Sequence, residues 1–126
     1  MNIACWNEEF QARFKDYFEA KGLVPDGVTV KWHITPNQDN AYQNRLDQQL
    51  YAQEKAPADE KIDLFLVEAD YALKYVDTPF TLDVKKDIGL TDADLSKQYQ
   101  YTKDVMTDKN GVLKGVTCAD QRFALL

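Results

Sequence analysis

Residues 62–76, IDLFLVEADYALKYV, decide the fold that this sequence predicts. The apolar run from 62 to 67 is broken only by Asp63, and a strand covered on both faces needs such a run. Directly after it come Glu68, Asp70 and Tyr71. Ligands of open α/β sheets bind outside the carboxyl ends of the strands. We therefore expect a buried central strand whose carboxyl end forms the rim of a binding site.

The composition is that of a single globular domain. The chain has 126 residues, of which 44% are hydrophobic, and a formal net charge of −6. This acidic balance argues against nucleic acid as a partner, because phosphate recognition needs clustered Lys and Arg. His33 is the only histidine, which excludes a Ser-His-Asp triad and a histidine metal cluster within one chain. Cys5 and Cys118 form no disulfide framework, and we expect Cys5 to be buried in a strand.

Residues 2–6 predict a first strand, and an amphipathic helix follows it. Asn7 can accept a hydrogen bond from a backbone N–H of the first helical turn. Aromatic rings recur every fourth residue at Phe10, Phe14 and Phe18. This spacing predicts one apolar helix face. Gly22 suits the left-handed position that follows a helix end.

Residues 28–34 alternate apolar and polar side chains, which predicts a second strand near the sheet edge. We expect His33, in the polar set, to face solvent without a special role. Pro36 ends the strand, and a polar turn over residues 37–40 begins a second helix. The apolar stripe of that helix consists of Tyr42, Leu46 and Leu50.

The last third of the chain predicts shorter elements. Three of them are a helical turn over residues 71–75, an extended piece over 81–84 and a strand over 112–117. Between them, Thr91 and Asp94 fit a capping box with Asp in place of Glu. One face of a last helix, which reaches about Thr107, carries Leu95, Tyr99 and Met106.

Strands that alternate with helices of this length predict right-handed crossovers. The expected fold class is therefore α/β, a three-layer architecture with a mainly parallel sheet. Polar clusters follow three of the strand ends. They comprise Trp6, Asn7 and Glu8, then Asn37, Gln38 and Tyr42, and finally Glu68, Asp70 and Tyr71. Parallel topology predicts that all three clusters lie at one edge of the sheet.

These clusters combine amides, carboxylates and aromatic rings, without a nucleophile–base pair or a Gly-rich phosphate loop. Amides and carboxylates bond sugar hydroxyl groups, and aromatic rings cover the apolar C–H faces of a sugar. The pattern is that of a non-reactive pocket. Helix capping is an equally good account of Asn7 and Asn37, and core packing is one of Trp6.

The chain resembles the N-terminal lobe of a family-1, maltose-binding-protein-like extracellular solute-binding protein of ABC carbohydrate importers. The resemblance covers residues 3–117. It is carried by the order and spacing of IACWNEEFQARF, TPNQDNAYQNRLDQQL, IDLFLVEADYALKYVD and GLTDADLSKQYQYTKDV…GVLKGVT. The fold it implies is an incomplete N-terminal lobe of the periplasmic-binding-protein type II.

The resemblance also implies a function. Two lobes of this family close on a sugar and deliver it to a membrane permease, without catalysis and without a cofactor or a metal. The sugar contacts that it implies are Trp6, Asn7, Glu8, Asp70 and Tyr71, with Asn37, Gln38 and Tyr42 at the second-helix start. The implied location is extracellular or periplasmic and membrane-associated, although this chain shows no signal peptide.

The sequence departs from the family pattern at its end. Residues 1–117 form the lobe-like part, and residues 118–126, CADQRFALL, diverge from it. We expect a truncated or frame-shifted lobe that binds sugar weakly or not at all, because one wall supplies only part of a closed cleft. An uncovered sheet edge then predicts a homodimer through that edge.

Two other interpretations stay open. A phosphoacceptor receiver domain also has a parallel sheet, an acidic pair such as Glu8-Glu9 and an Asp such as Asp70 after strand three. It further requires a Ser or Thr after strand four and a Lys after strand five, which this chain lacks in that pattern. The other interpretation is an interaction module whose pocket is vestigial.

Overall fold

The computed structural model describes residues 1–117 and 124–125. The chain divides into two compact units, Met1–Phe65 and Leu66–Leu126. In the first unit, β1 (Asn2–Cys5), α1 (Glu9–Phe14), β2 (Lys31–Ile34) and α2 (Ala41–Ala52) follow one another in that order. The strand β3 (Leu64–Val67) begins in the first unit and ends in the second.

The sheet of the first unit is parallel, with β1 between β2 and β3. Ile3 lies beside Trp32 on one side and beside Leu64 on the other. The chain therefore crosses from β1 to one flank and returns past β1 to the other. Such a reversal of strand order is a topological switch point, beside which open α/β sheets bind ligands. The predicted α/β class with parallel strands is confirmed for these three strands.

The core of this unit centres on β1, where all four residues are buried. Cys5 is one of them, as predicted, and burial raises the pKa of its thiol to about 11 despite a hydrogen bond to Asn7. The predicted stripe of α2 is also confirmed, since its buried side chains are Tyr42, Leu46 and Leu50. Burial of such a stripe is the main source of stability for a helix of this length.

The aromatic helix differs from the prediction in one respect. Instead of one continuous α-helix, α1 ends at Phe14 and a π-helical segment, Lys15–Glu19, continues it. The predicted end is confirmed, because Gly22 has a φ of 65° and the N–H of Leu23 donates to the Phe18 carbonyl at 3.0 Å. Neither segment has a fully buried residue.

Strand β2 is shorter than its alternating pattern, and its four residues are exposed or half-buried, as expected for a sheet edge. The expectation for His33 is wrong. Its Nε2 lies 3.1 Å from Oδ1 of Asn2, a buried side chain, so the imidazole is half-buried and hydrogen-bonded. One polar residue of this strand therefore bonds a buried side chain of β1, and solvent exposure does not follow from alternation alone.

The second unit holds shorter elements, as its sequence predicts. They are α3 (Leu73–Val76), α4 (Asp92–Leu95), α5 (Gln100–Val105), β4 (Val116–Thr117) and β5 (Ala124–Leu125). Its strand pairs, β3 with β5 and β4 with β5, are antiparallel. The predicted mainly parallel arrangement therefore holds in the first unit, while the pairs of the second unit run in opposite directions.

Three predictions for the second unit need correction. The predicted strand over 112–117 is a strand only at Val116–Thr117. Residues 81–84 form no strand, although the backbone of Val84 donates to Leu113 at 3.0 Å. The predicted last helix is two short helices, because Tyr99 takes an extended ψ of 143° and is the N-cap residue of α5. Leu95 and Met106 are buried as expected, whereas Tyr99 is 63% exposed. The divergent tail at 118–126 lies outside the described residues except for 124–125.

Candidate functional site

The polar residues that follow β1 and β2 lie at the same edge of the parallel sheet, where the two strands end. Cys5 and Ile34 are partners in the register, so the two strands end side by side. The N–H of Thr35 extends the pairing by donating to the Cys5 carbonyl at 3.0 Å. Residues 6–8 and 36–40 therefore follow neighbouring strand ends, as the prediction required. We call this edge, residues 6–8 and 35–40, the first-unit rim.

Trp6 has a fixed position on this rim because α2 supports it. The rings of Trp6 and Tyr42 meet edge to face, with centroids 5.5 Å apart. Tyr42 itself is buried, and its hydroxyl donates to the Ala4 carbonyl at 3.1 Å. Tyr42 thus has a packing role within the protein, while the half-buried Trp6 keeps part of its ring at the surface. The structure brings these two predicted site residues into contact, but they have different roles.

Asn7 accepts the backbone hydrogen bond that was predicted for it, although the N-cap residue of α1 is Glu8. Its Oδ1 accepts a hydrogen bond from the Glu9 N–H at 3.0 Å, which leaves its amide Nδ2 as the donor group. Glu8 follows at the start of α1, where its side chain is exposed and makes no capping hydrogen bond. The amide of Asn7 and the carboxylate of Glu8 are therefore both presented at the first-unit rim.

The turn before α2 supplies two more exposed amides, those of Asn37 and Gln38. The Gln38 carbonyl accepts from the Ala41 N–H at 2.8 Å. After it, Asp39 and Asn40 take positive φ values of 50° and 60°. Two consecutive left-handed residues without glycine are uncommon, because this conformation costs free energy for a residue with a Cβ.

The charge of the first-unit rim is negative. Its carboxylates are Glu8 and Asp39, and its sequence contains no Lys, Arg or His between residues 5 and 9 or between 35 and 40. Glu9, directly after Glu8, forms an ion pair with Arg13 at 2.9 Å. An anionic ligand would meet carboxylates that have no cation within the same segments, so this surface suits neutral or cationic groups.

The predicted residues after β3 belong to the second unit. Asp70 is exposed there, and the Tyr71 N–H donates to the Glu68 carbonyl at 3.2 Å. Burial raises the pKa of Glu68, and the negative charge of Asp70 raises it further. The Tyr71 ring packs edge to face on Tyr75, with centroids 6.4 Å apart.

The hydroxyl of Tyr71 is buried and has no hydrogen-bond partner among the described residues. Burial raises the pKa of this phenol, the nearby backbone of Glu68 opposes the rise, and the charges of Glu68 and Asp70 add to it. An unpaired buried hydroxyl costs free energy, so a partner for Tyr71 would be favourable. In the second unit Tyr71 therefore combines packing with an unused hydrogen-bonding capacity.

The described residues contain no group of three or more His, Cys, Asp or Glu side chains arranged to hold a metal ion. None of the helices within these ranges has the length and apolarity that a membrane crossing requires. Sequence reasoning missed Asn2, which organises the start of β1, because a lone Asn in an apolar run has no distinguishing pattern.

No protein-family model matches this chain, and no curated protein or solved structure matches it either. The fold and the first-unit rim together define an α/β domain with a parallel three-stranded sheet and a polar, aromatic edge at the ends of its strands.

Proposed function

We propose that this chain is a non-enzymatic carbohydrate-binding lobe of the kind found in ABC-transporter substrate-binding proteins. The observation that supports it best is the first-unit rim. There the parallel register of Cys5 with Ile34 gathers two polar segments, and Tyr42 supports the exposed part of Trp6. This edge adjoins the switch point of the sheet, where ligand sites of open α/β folds occur.

The chemistry of the rim suits a sugar. A partly exposed indole covers the apolar C–H face of a pyranose ring, and the surrounding polar groups bond its hydroxyls. Asn7 offers an amide donor, and Glu8 offers a carboxylate that accepts two or more hydroxyl donors. Asn37 and Gln38 add groups that both donate and accept. Asp70 and Tyr71, which belong to the second unit, remain sugar contacts predicted from the sequence.

The sign of the rim charge narrows the ligand class. Because Glu8 and Asp39 have no cation beside them in these segments, neutral sugars should bind better than uronic acids or sugar phosphates. One lobe supplies only part of the contacts of a closed cleft, so we expect dissociation constants in the millimolar range.

Fluorescence of Trp6 tests the proposal directly. The substitution Trp32→Phe leaves Trp6 as the only indole, and neutral mono- and oligosaccharides are then titrated to tens of millimolar. A saturable change in emission supports the proposal. If neither the emission nor the backbone amide resonances respond to any sugar, the carbohydrate function is rejected, and an interaction module without a working pocket becomes the better account.

A matched pair of variants separates rim binding from unspecific effects. Glu8→Gln removes the charge of an exposed rim side chain with little change in shape. Glu19→Gln makes the same change at the end of the π-helical segment that continues α1. We expect only Glu8→Gln to weaken sugar binding, by about fivefold, since hydrogen bonds to a charged group are the stronger ones. Equal effects of both variants would place the sugar away from the rim.

The same proposal includes two partners and a location for the chain. In a transport system, an ABC permease would receive the sugar, and the lobe would work outside the cell or in the periplasm, associated with the membrane. A second copy of the chain is the other proposed partner. It would pair through the edge of β2, whose outer side has no strand neighbour among the described residues.

A further inference from the structure

The second unit contains a cavity that no predicted site residue lines. Its volume is about 500 Å³, which falls in the range of small-molecule sites. The wall combines side chains of both charges with an apolar part. The charged residues of the wall are Asp83, Lys85, Asp92 and Lys103, and the apolar part is formed by Leu95, Val112 and Leu113.

Lys103 is the cationic group of this wall that has no partner among the described residues. Its side chain is half-buried, and its ammonium makes no hydrogen bond or ion pair with any described residue. Lys85, in contrast, is paired with Asp92 at 2.5 Å. The pKa of Asp92 is lowered first by its hydrogen bond with Lys85, and Lys103 adds a weaker effect through its charge. Lys103 is therefore near this carboxylate but does not bond to it.

Asp83 is the corresponding anionic group. Its Oδ1 accepts hydrogen bonds from the N–H groups of Lys85 and Lys86, at 2.9 and 3.0 Å. These bonds, with that of Lys86 the strongest, hold the pKa of Asp83 below its usual range. Its Oδ2 receives no hydrogen bond from a described residue, so one oxygen of a fixed, ionised carboxylate remains available.

The charged side chains of the wall sum to zero charge, but not all of them form ion pairs with one another. Its two lysines and two aspartates sum to zero formal charge, and only Lys85 and Asp92 neutralise each other by contact. A simple cation would be repelled by Lys103 and a simple anion by Asp83, although the charges of Lys114 and Lys86 weaken the repulsion at Asp83. A ligand that carries both charges satisfies both groups. Leu95, which is buried, and the neighbouring valine and leucine offer an apolar surface for the rest of such a ligand.

We propose that this cavity binds a small zwitterion of the amino-acid or dipeptide class. Its carboxylate would bond Lys103, its ammonium would bond Asp83, and its apolar side chain would lie against Leu95 and Val112. This site is independent of the carbohydrate function proposed above, because all its residues belong to residues 83–113 of the second unit.

Three ligands of one shape test the charge requirement. Leucine carries both charges, leucinamide only the ammonium, and 4-methylpentanoate only the carboxylate. Titrations followed by the backbone amide resonances of the ¹⁵N-labelled full chain should show leucine, or the dipeptide Leu-Gly, binding at least about tenfold more tightly than either half-molecule. The responding resonances should come from the residues that line the cavity.

Two substitutions test which wall residue bonds the carboxylate of the ligand and which bonds its ammonium. Lys103→Met should weaken leucine about tenfold and leave leucinamide unchanged, while Asp83→Asn, which keeps the Oδ1 acceptor, should weaken leucine and leave 4-methylpentanoate unchanged. Lys97→Met, at an exposed lysine outside the wall, is the control and should change nothing. Equal affinity for all three ligands, or no response to leucine and Leu-Gly at tens of millimolar, would overturn the proposal.

Discussion

At the scale of single residues, Asn2 shows how one buried polar group organises a neighbourhood. Its Nδ2 donates to the carbonyls of Asp59 and Lys61, at 2.9 and 2.8 Å. Its Oδ1 can only accept, so the Nε2 of His33 carries the proton between them. The side chain is 2% exposed. It thereby fixes the loop before β3 and the middle of β2 to the first residue of β1.

Removal of this side chain should be costly. Asn2→Ala leaves two carbonyls and an imidazole N–H without their partner, and we expect a loss of about 2–3 kcal/mol in the free energy of unfolding. Urea denaturation measures it. Asn44→Ala, at an exposed position of α2, is the matched control and should be neutral or slightly stabilising. Similar midpoints for the two variants would refute the structural role of Asn2.

Cys5 makes a pH-dependent prediction. Its thiol pKa is about 11 in the folded chain because burial disfavours the thiolate, against a usual value of 9.0. Between these two values the unfolded chain has lost a proton that the folded chain keeps, so stability falls as pH rises through this interval. The loss should be about 2 kcal/mol.

The measurement compares Cys118→Ser with the double variant Cys5→Ala/Cys118→Ser from pH 8 to pH 11. The other groups that titrate in this range are common to both proteins, so the difference isolates Cys5. We expect the advantage of the cysteine-containing protein to shrink as pH rises. A constant difference would show that the thiol has an ordinary pKa in the folded chain.

At the scale of elements, short helices depend on their ends. Helix α4 has only four residues, and Thr91 and Asp94 form a full capping box before it. The Thr91 N–H donates to Asp94 Oδ2 at 2.8 Å, and the Asp94 N–H donates to Thr91 Oγ1 at 3.3 Å. A single turn without such a cap is not stable in itself.

Thr91→Ala should therefore lower stability by about 1 kcal/mol, whereas Thr91→Ser keeps the hydroxyl and should lower it little. The side-chain hydrogen bond from Thr91 is also the main reason that the pKa of Asp94 lies below its usual range. The stability that this bond adds is lost as pH falls through the lowered pKa. Thermal unfolding should thus show a difference between Thr91→Ala and wild type at neutral pH that shrinks in acid.

The end of the aromatic helix makes a second prediction at this scale. Gly22 has a φ of 65°, and a Cβ there would meet no atom within 4 Å. Gly22→Ala is therefore unfavourable for its backbone conformation alone, by about 1 kcal/mol. Gly22→Asn should cost less because Asn tolerates this conformation. If both variants matched wild type in urea denaturation, the left-handed end would be absent in solution.

At the scale of the whole molecule, the first unit leaves an aromatic surface incompletely covered. The rings of Phe10, Phe14 and Phe18 follow one another along the helix, and Trp32 of β2 meets the first two edge to face. None of the four is fully buried. They lie next to the strand whose outer edge has no described partner, which is the combination that favours association.

Sedimentation equilibrium at micromolar concentrations tests the proposed homodimer. Phe18 is 42% exposed, and Phe18→Glu should shift the chain to a monomer by placing a charge in the contact. Leu73→Glu changes a more exposed apolar residue of the second unit and should leave association unchanged. A monomeric wild-type chain, or equal effects of the two substitutions, would remove the proposed dimer.

Local patterns were sufficient for much of this fold. The stripe of Tyr42, Leu46 and Leu50 and the buried run of β3 were predicted correctly, because burial of one helix face or of a whole strand has a direct periodic signature. The capping box and the helix end at Gly22 were also predicted. Both are decided by a few neighbouring residues.

The tertiary structure alone decided the roles of individual side chains within these elements. It gave Tyr42 a packing role under Trp6, joined His33 to Asn2, and split the last helix at Tyr99. It also brought Asp83 and Lys103 to one cavity across twenty residues of chain. Apart from the break at Tyr99, these features depend on contacts between residues distant in sequence, and no local period or spacing encodes such contacts. The sequence by itself therefore determined the elements and the chemistry that they carry, whereas packing determined which side chains remain free to bind.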